Sequence, residues 1–230
     1  HPLLLEDFLF EFQAALISQN ENIDFLWVCD YLTLHFMNSE SSKVTLRTLF
    51  LKKRLELSKA EHEEKSFAIA NHCLQLPIWD MEYIHLFLPI EAKAEVDTTL
   101  ILTLLQGRDK QVVLPKVYQQ RLQHLLLTDS TKLRKNSWGI PEPDQGIEVP
   151  AGQLEVVFIP LLAWDKRGHR VGYGKGFYDN FLSACKPEVI KIGLSLFEAV
   201  EAIEGIRPED ISMDYCVHPE GITAFPPQKI

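Results

Sequence analysis

The segment DKRGHRVGYGKGFYDNF, Asp165 to Phe181, concentrates four of the chain's eleven glycines and four of its cations. Gly172, Gly174 and Gly176 fall on alternate positions, with Lys166, Arg167, Arg170 and Lys175 interleaved. Glycine lets successive amides turn toward an anion with no Cβ in the way, and a helix that follows adds its positive end. Arg170 and Lys175 supply charge for phosphate oxygens. The spacing is not a Walker A motif, because no Gly-Lys-Ser/Thr follows a four-residue gap. It is not the dinucleotide fingerprint either, since its third glycine comes one residue too early. The competing reading is a surface turn with solvated lysines. Three alternate glycines bracketed by cations at the end of a predicted strand favour phosphate binding, without specifying the nucleotide.

Other reactive residue types are scattered. His35, His62, His72, His85, His124, His169 and His218 share no spacing, His1 is terminal, and only His169 falls inside the loop. Cys29, Cys73, Cys185 and Cys216 are widely separated, with no CxxC, so they read as buried thiols of a reducing compartment rather than zinc ligands or disulfides. No G-x-S-x-G elbow is present.

The elements that must position the loop are of the α/β kind. Leu46, Leu49, Phe50 and Leu57 recur at helical spacing between residues 43 and 57, with basic residues between them. Ser58 to Glu61, SKAE, is a capping box opening a second helix that runs to about Leu76. Asp97 to Gly107 fits a helix capped by Asp97 and stopped by Gly107. YIHLFLPI, QVVLPKV, LEVVFIPLL and VIKIGLSL are apolar strand patterns. Their alternation with helices predicts a largely parallel central sheet with helices on both faces, an open Rossmann-like α/β fold. Ligands on such sheets sit at the C-terminal strand ends, and the glycine loop follows LEVVFIP there.

The chain of 230 residues is long enough for one sizeable domain, and its net charge of −9 argues against a nucleic-acid-binding surface. Residues 1–42 hold seven acids and no Lys or Arg, so the rest is nearly neutral and the basic loop stands out. A polar serine cluster near Met37 divides the chain into an N-terminal extension, 1–36, and a domain at 37–230. The apolar run from Ile23 to Met37 is too short and too charged to span a membrane, and no secretory signal is visible. The expected setting is the cytoplasm, with no membrane or nucleic-acid partner, as a monomer or small homo-oligomer.

The loop resembles the signature of the 5-formyltetrahydrofolate cyclo-ligases, D-x-x-G-x-R-L-G-x-G-x-G-Y-Y-D, with Val171 for leucine and Phe177 for the first tyrosine. LPIEAKAEVDT at 88–98, SWGIPEP at 137–143 and DISMDYCVHPEG at 210–221 resemble further family segments in the same order. The resemblance covers about residues 43–222. It implies that Gly168, His169, Arg170, Val171, Gly172, Tyr173, Gly174, Lys175 and Gly176 cradle ATP phosphates, with Arg170 and Lys175 acting in catalysis. It also implies that Lys43 and Arg47 reach the nucleotide. These two lie one turn apart on one helix face, a spacing equally suited to a solvated face. Glu95, Trp138 and Tyr178 would hold the folate, the carboxylate accepting from pterin N–H groups and the indole stacking on the heterocycle. Asp179 and Asp214 would serve Mg²⁺.

The implied reaction is ATP-dependent cyclisation of 5-formyltetrahydrofolate to 5,10-methenyltetrahydrofolate. Both nucleophiles come from the substrate, so a site of glycine amides, Lys and Arg without a triad suits it. The alternatives are a protein that binds folate and nucleotide without turnover, and a different phosphoryl-transfer ligase using the same loop.

Overall fold

Helix α1, Lys43–Leu55, starts at Ser42, whose hydroxyl accepts from the Thr45 amide at 3.2 Å. It buries Leu46, Phe50 and Arg54, four residues apart, while Leu49 stays 41% exposed. The buried stripe therefore includes a cation that the apolar pattern left out. Helix α2, Lys59–Cys73, opens with the expected capping box: the Glu61 amide donates to Ser58 Oγ at 3.3 Å, and the Ser58 amide donates to Glu61 Oε2 at 2.8 Å. These elements come from a computed structural model that describes residues 41–136 and 139–226. All of them fall in one unit, 41–230; the N-terminal extension, Trp138 and the last four residues lie outside the described residues.

The strands follow as β1 (Tyr83–His85), β2 (Gln111–Tyr118), β3 (Arg121–Leu126), β4 (Leu133–Lys135), β5 (Pro141–Pro143), β6 (Val156–Pro160), β7 (Ala163–Trp164), β8 (Arg170–Val171), β9 (Ile190–Leu194), β10 (Tyr215–His218) and β11 (Gly221–Ala224). Helix α3 is Thr99–Gln106 and α4 is Phe177–Leu182. Seven strands form one sheet in the order β11-β10-β9-β6-β1-β2-β3. The five central strands are parallel, and an antiparallel strand closes each edge. This is the expected largely parallel α/β sheet.

Alternation along the central strands fills both faces. Ile84, Val156, Phe158 and Ile192 join the cluster under α2 and α3, whereas Val157 and Ile159 join the cluster that includes Phe181 and Leu182 of α4. Three local expectations change. β1 ends at His85 rather than Ile90: the Leu86 amide still reaches the Val113 carbonyl at 2.9 Å, but Pro89 has no N–H to extend the ladder, and a 3₁₀ turn follows at Glu91–Lys93. Thr98 rather than Asp97 occupies the α3 cap position; the Asp97 carboxylate accepts from the Thr99 amide and hydroxyl at 2.9 and 2.7 Å. Helix α2 stops three residues before Leu76.

Candidate active site

The glycine loop leaves the short β7–β8 ribbon and enters α4. Its entrance is organised by Asp165, whose side chain is fully buried. Asp165 Oδ1 accepts from the amides of Arg167 (3.0 Å) and His169 (2.9 Å), and Oδ2 accepts from the Ile203 amide at 3.1 Å and meets His169 Nδ1 at 3.0 Å. Burial pushes this carboxyl up, yet the hydrogen bonds from His169 and Ile203 outweigh it and hold the pKa below the ordinary value. His169 is thereby a strut of the turn.

Gly168 is also structural: an added Cβ would lie 2.9 Å from the Phe225 ring and 3.2 Å from the Met213 carbonyl, and the residue does not line the cavity described below. The Val171 side chain is buried in the small core under α1. Gly174 has φ +79° and sits where a Cβ would meet the Arg47 guanidinium at 3.1 Å, so both backbone and space require glycine. Gly172 differs, with an ordinary φ and open space where its Cβ would be. Nothing in the fold demands glycine there. The α4 helix has only six residues, so anion affinity must come from the loop's own amides and cations rather than from a helix macrodipole.

The four expected cations have different surroundings. Arg170 is 7% exposed and bonded through Nη2 to Asp179 Oδ1 at 2.5 Å and through Nη1 to the Ile211 carbonyl. Burial lowers its pKa while Asp179 opposes that shift. It therefore ties β8 to α4 and to the segment before β10, while still lining the cavity described below. Lys43 pairs with Asp210, and Arg47 donates from Nε to the Gly172 carbonyl at 2.9 Å. Lys175 is exposed and has no ion pair or hydrogen bond among the described residues.

Opposite the loop lies a buried acid. Glu95 is 4% exposed; its Oε2 accepts from the Ile90 amide at 2.7 Å and its Oε1 from the Tyr173 hydroxyl at 2.6 Å. Burial raises its pKa against the pull of those two donors. Tyr173 in turn accepts from Arg54 Nη1 at 3.0 Å, and Lys93 Nζ lies 3.9 Å from its ring centroid. Tyr178 lines the same space and packs edge-on against His85 and Phe181, at 5.9 and 6.0 Å between centroids. Arg54, Lys93 and Asp210 were not singled out from the sequence as site residues. Arg54 alone left a signal, its position four residues after Phe50 on the buried face.

Lys93, Glu95, Tyr173, Tyr178 and Asp210 line one cavity of about 1400 Å³ with the glycine loop, whereas Arg54 does not line it. Leu88 after β1 and Pro160 ending β6 form its floor. The chain adds β2 and β3 on one side of β1 and later returns to add β6 on the other, so the cavity lies at a switch point of the parallel sheet. Lys43, Arg47, Glu95, the stretch 169–176, Tyr178 and Asp179 all face it. Glu142 of β5 and Ile140, the residue before that strand, also face the cavity, whereas Trp138 lies outside the described residues. Asp214 does not: its Oδ2 accepts from the Lys191 amide and pairs with Lys191 Nζ, both at 2.8 Å. Lys191 lies at the start of β9, whereas Pro160 is level with Leu194 at its end. Asp214 is thus at the wrong end of the strands to join Asp179, and Asp210 is the second aspartate on the cavity wall. No cluster of three or more His, Cys, Asp or Glu fit for a metal occurs among the described residues.

A sequence model of the 5-formyltetrahydrofolate cyclo-ligase family matches residues 39–219. The chain is 29% identical over 165 residues to the 5-formyltetrahydrofolate cyclo-ligase of Haemophilus influenzae, covering 69% of this chain and 87% of that protein. It is 26% identical over 182 residues to a probable 5-formyltetrahydrofolate cyclo-ligase of Schizosaccharomyces pombe, covering 71% and 89%. The solved structure of Aquifex aeolicus 5,10-methenyltetrahydrofolate synthetase superposes with a TM-score of 0.70 at 27% identity, over 82% of this chain and 95% of that one. With the family match spanning most of the chain and the cavity lying within it, this protein belongs to the 5-formyltetrahydrofolate cyclo-ligase family and is an enzyme.

Proposed function

We propose that the enzyme closes 5-formyltetrahydrofolate to 5,10-methenyltetrahydrofolate at the expense of ATP. The formyl oxygen attacks the γ-phosphorus and ADP departs. N10 of the same molecule then attacks the activated formyl carbon and loses its proton, and phosphate leaves. The amide carbonyl is a poor electrophile, so phosphorylation is what makes ring closure possible. No protein nucleophile is needed. The protein's contribution is to align two ligands and to meet charge that grows on phosphoryl oxygens.

The observation that carries this reading is one cavity lined both by a glycine-loop lysine that has no partner among the described residues and by a buried carboxylate. Its volume of about 1400 Å³ exceeds the 300–1,000 Å³ usual for one small ligand and suits two. Lys175 meets the transferring phosphoryl group, while the open flank of Gly172 lets phosphate oxygens approach backbone amides. Lys43 and Arg47 reach the nucleotide from α1. Glu95 accepts from pterin N–H groups, with Tyr178 on the same cavity wall; Trp138, outside the described residues, is the further folate contact that the family resemblance implies.

Mg²⁺ fits as an ion carried in with the nucleotide. It commonly keeps one or two carboxylates besides phosphate and water, and Asp179 and Asp210 both line the cavity. Bound there, it would neutralise phosphate charge.

The test is to incubate the protein with 5-formyltetrahydrofolate and Mg-ATP and record the near-ultraviolet absorbance of the methenyl product. Binding of both ligands without product would leave a protein that holds them without turnover. Failure to bind 5-formyltetrahydrofolate would refute the substrate assignment.

A further inference from the structure

Tyr173 has its backbone in the glycine loop and its side chain in the opposite wall. The carbonyl before it, that of Gly172, is held by Arg47 at 2.9 Å, and Gly174 after it rests against the same guanidinium. Its hydroxyl donates to Glu95 Oε1 at 2.6 Å and accepts from Arg54 Nη1 at 3.0 Å. Arg47 and Arg54 both stand on α1, so one helix grips the loop by its main chain and by its one aromatic side chain. Glu95 is itself fixed, because Ile90 donates to its other oxygen at 2.7 Å and only 4% of the residue is exposed. The position of the loop is therefore set in part by the position of one carboxylate.

We propose that Tyr173 is a positioning residue that couples the two halves of the cavity, so that folate on Glu95 orders the glycine loop for the nucleotide. The inference rests on the assignment of Glu95 to the folate and of the loop to phosphate. Each carboxylate oxygen can accept more than one hydrogen bond, so a pterin N–H can join Tyr173 on Glu95 without displacing it. A carboxylate held by the ligand then holds the hydroxyl, and the hydroxyl holds a loop whose glycines would otherwise let it move. The ordering cost is met by the first ligand and is absent for the second, which gives positive coupling with no large movement. Coupling of this kind is reciprocal: folate must tighten ATP by the same factor that ATP tightens folate.

The experiment measures affinity for a non-hydrolysable β,γ-imido analogue of ATP with and without saturating 5-formyltetrahydrofolate, and the converse, in the native chain and in Tyr173→Phe. The substitution keeps the ring beneath Lys93 and removes only the hydroxyl. The native protein is expected to show mutual tightening of about fivefold or more, within the usual range of coupling, and Tyr173→Phe less than about twofold. Equal coupling in both proteins, mutual weakening, or no coupling in the native chain overturns the proposal. If native protein fails to bind 5-formyltetrahydrofolate at all, the functional reading falls first and takes the coupling with it. A second measurement needs no variant: 5-formyltetrahydrofolate alone should slow amide exchange at residues 172–176. Unchanged exchange there, with folate bound, also refutes the coupling.

Discussion

Asp165→Asn removes one charge and changes one atom, and the structure allows its cost to be worked out. The buried carboxylate serves three backbone amides, those of Arg167, His169 and Ile203, and contacts the His169 ring. Asparagine offers a single acceptor oxygen. Placed at the Oδ1 position, it keeps the Arg167 and His169 amides, but its amino group then confronts the Ile203 N–H. One buried donor left without an acceptor costs about 1–3 kcal/mol, and the bonds that survive lose their charge assistance, on the order of 1 kcal/mol more. A total of roughly 2–4 kcal/mol should lower the Tm by about 5–15 °C in a domain of this size. Thermal unfolding followed by circular dichroism measures this directly, and a nucleotide titration should show weaker binding because the loop's entrance has lost its anchor. Acid should reproduce the loss in the native chain: the folded pKa of Asp165 lies below its ordinary value, so this stability is present above about pH 4 and disappears as pH falls through the folded pKa. A Tm within about 1 °C of the native value would refute the account of Asp165 as the loop's anchor.

The other predictions address separate parts of the molecule. Lys175→Ala should cut turnover on the order of 10²-fold with an unchanged Tm, measured by steady-state methenyl formation and unfolding; unchanged kinetics would remove Lys175 from the phosphates. Gly172→Ala should leave the fold intact, given the ordinary φ and open space, yet weaken ATP in a direct titration; unaltered ATP affinity would mean that no ligand approaches that flank. Burial, opposed by Glu148, holds the His124 pKa down at about 4, below the ordinary 6.5, so its neutral form stabilises the fold above pH 6.5 and that contribution is lost as pH falls toward 4. The loss amounts to about 3 kcal/mol at most, and His124→Leu should flatten the Tm-versus-pH curve in that window. A chain starting at Met37 should fold and keep normal turnover, as judged by unfolding and the methenyl assay, since the acidic stretch before it lies outside the family match.

What the sequence discloses here is what is local. The capping box at Ser58 needs only residues three apart, and the strand patterns declare themselves because parallel strands buried on both faces are continuously apolar. The loop is legible for the same reason, since alternate glycines and interleaved cations lie within a few residues of each other. Partners are not legible. Arg170 and Lys175 have the same charge five residues apart, yet Asp179 and the Ile211 carbonyl claim the first and leave the second. Asp210 and Asp214 are four apart in an irregular stretch with no period to say which faces the cavity; the pairing of β9 with β10 decides it by drawing Asp214 to Lys191. Tyr173 looks like a filler between glycines until the fold brings Glu95, 78 positions earlier, against its hydroxyl.

The thiols give the protein a built-in clock. Burial pushes Cys73 up to about 12 and Cys185 to about 11, with Lys191 pulling the latter down, and Cys216 well above the ordinary value. Thiolate is the reactive form, so all three thiols are held in their unreactive protonated form near neutral pH. Cys73 and Cys216 sit under different faces of the sheet, one in the α2–α3 cluster and the other in the α4 cluster. An alkylating reagent therefore meets them only when the corresponding layer lifts away. The time course of their modification, resolved by peptide, would record separately how often each side of the sheet opens.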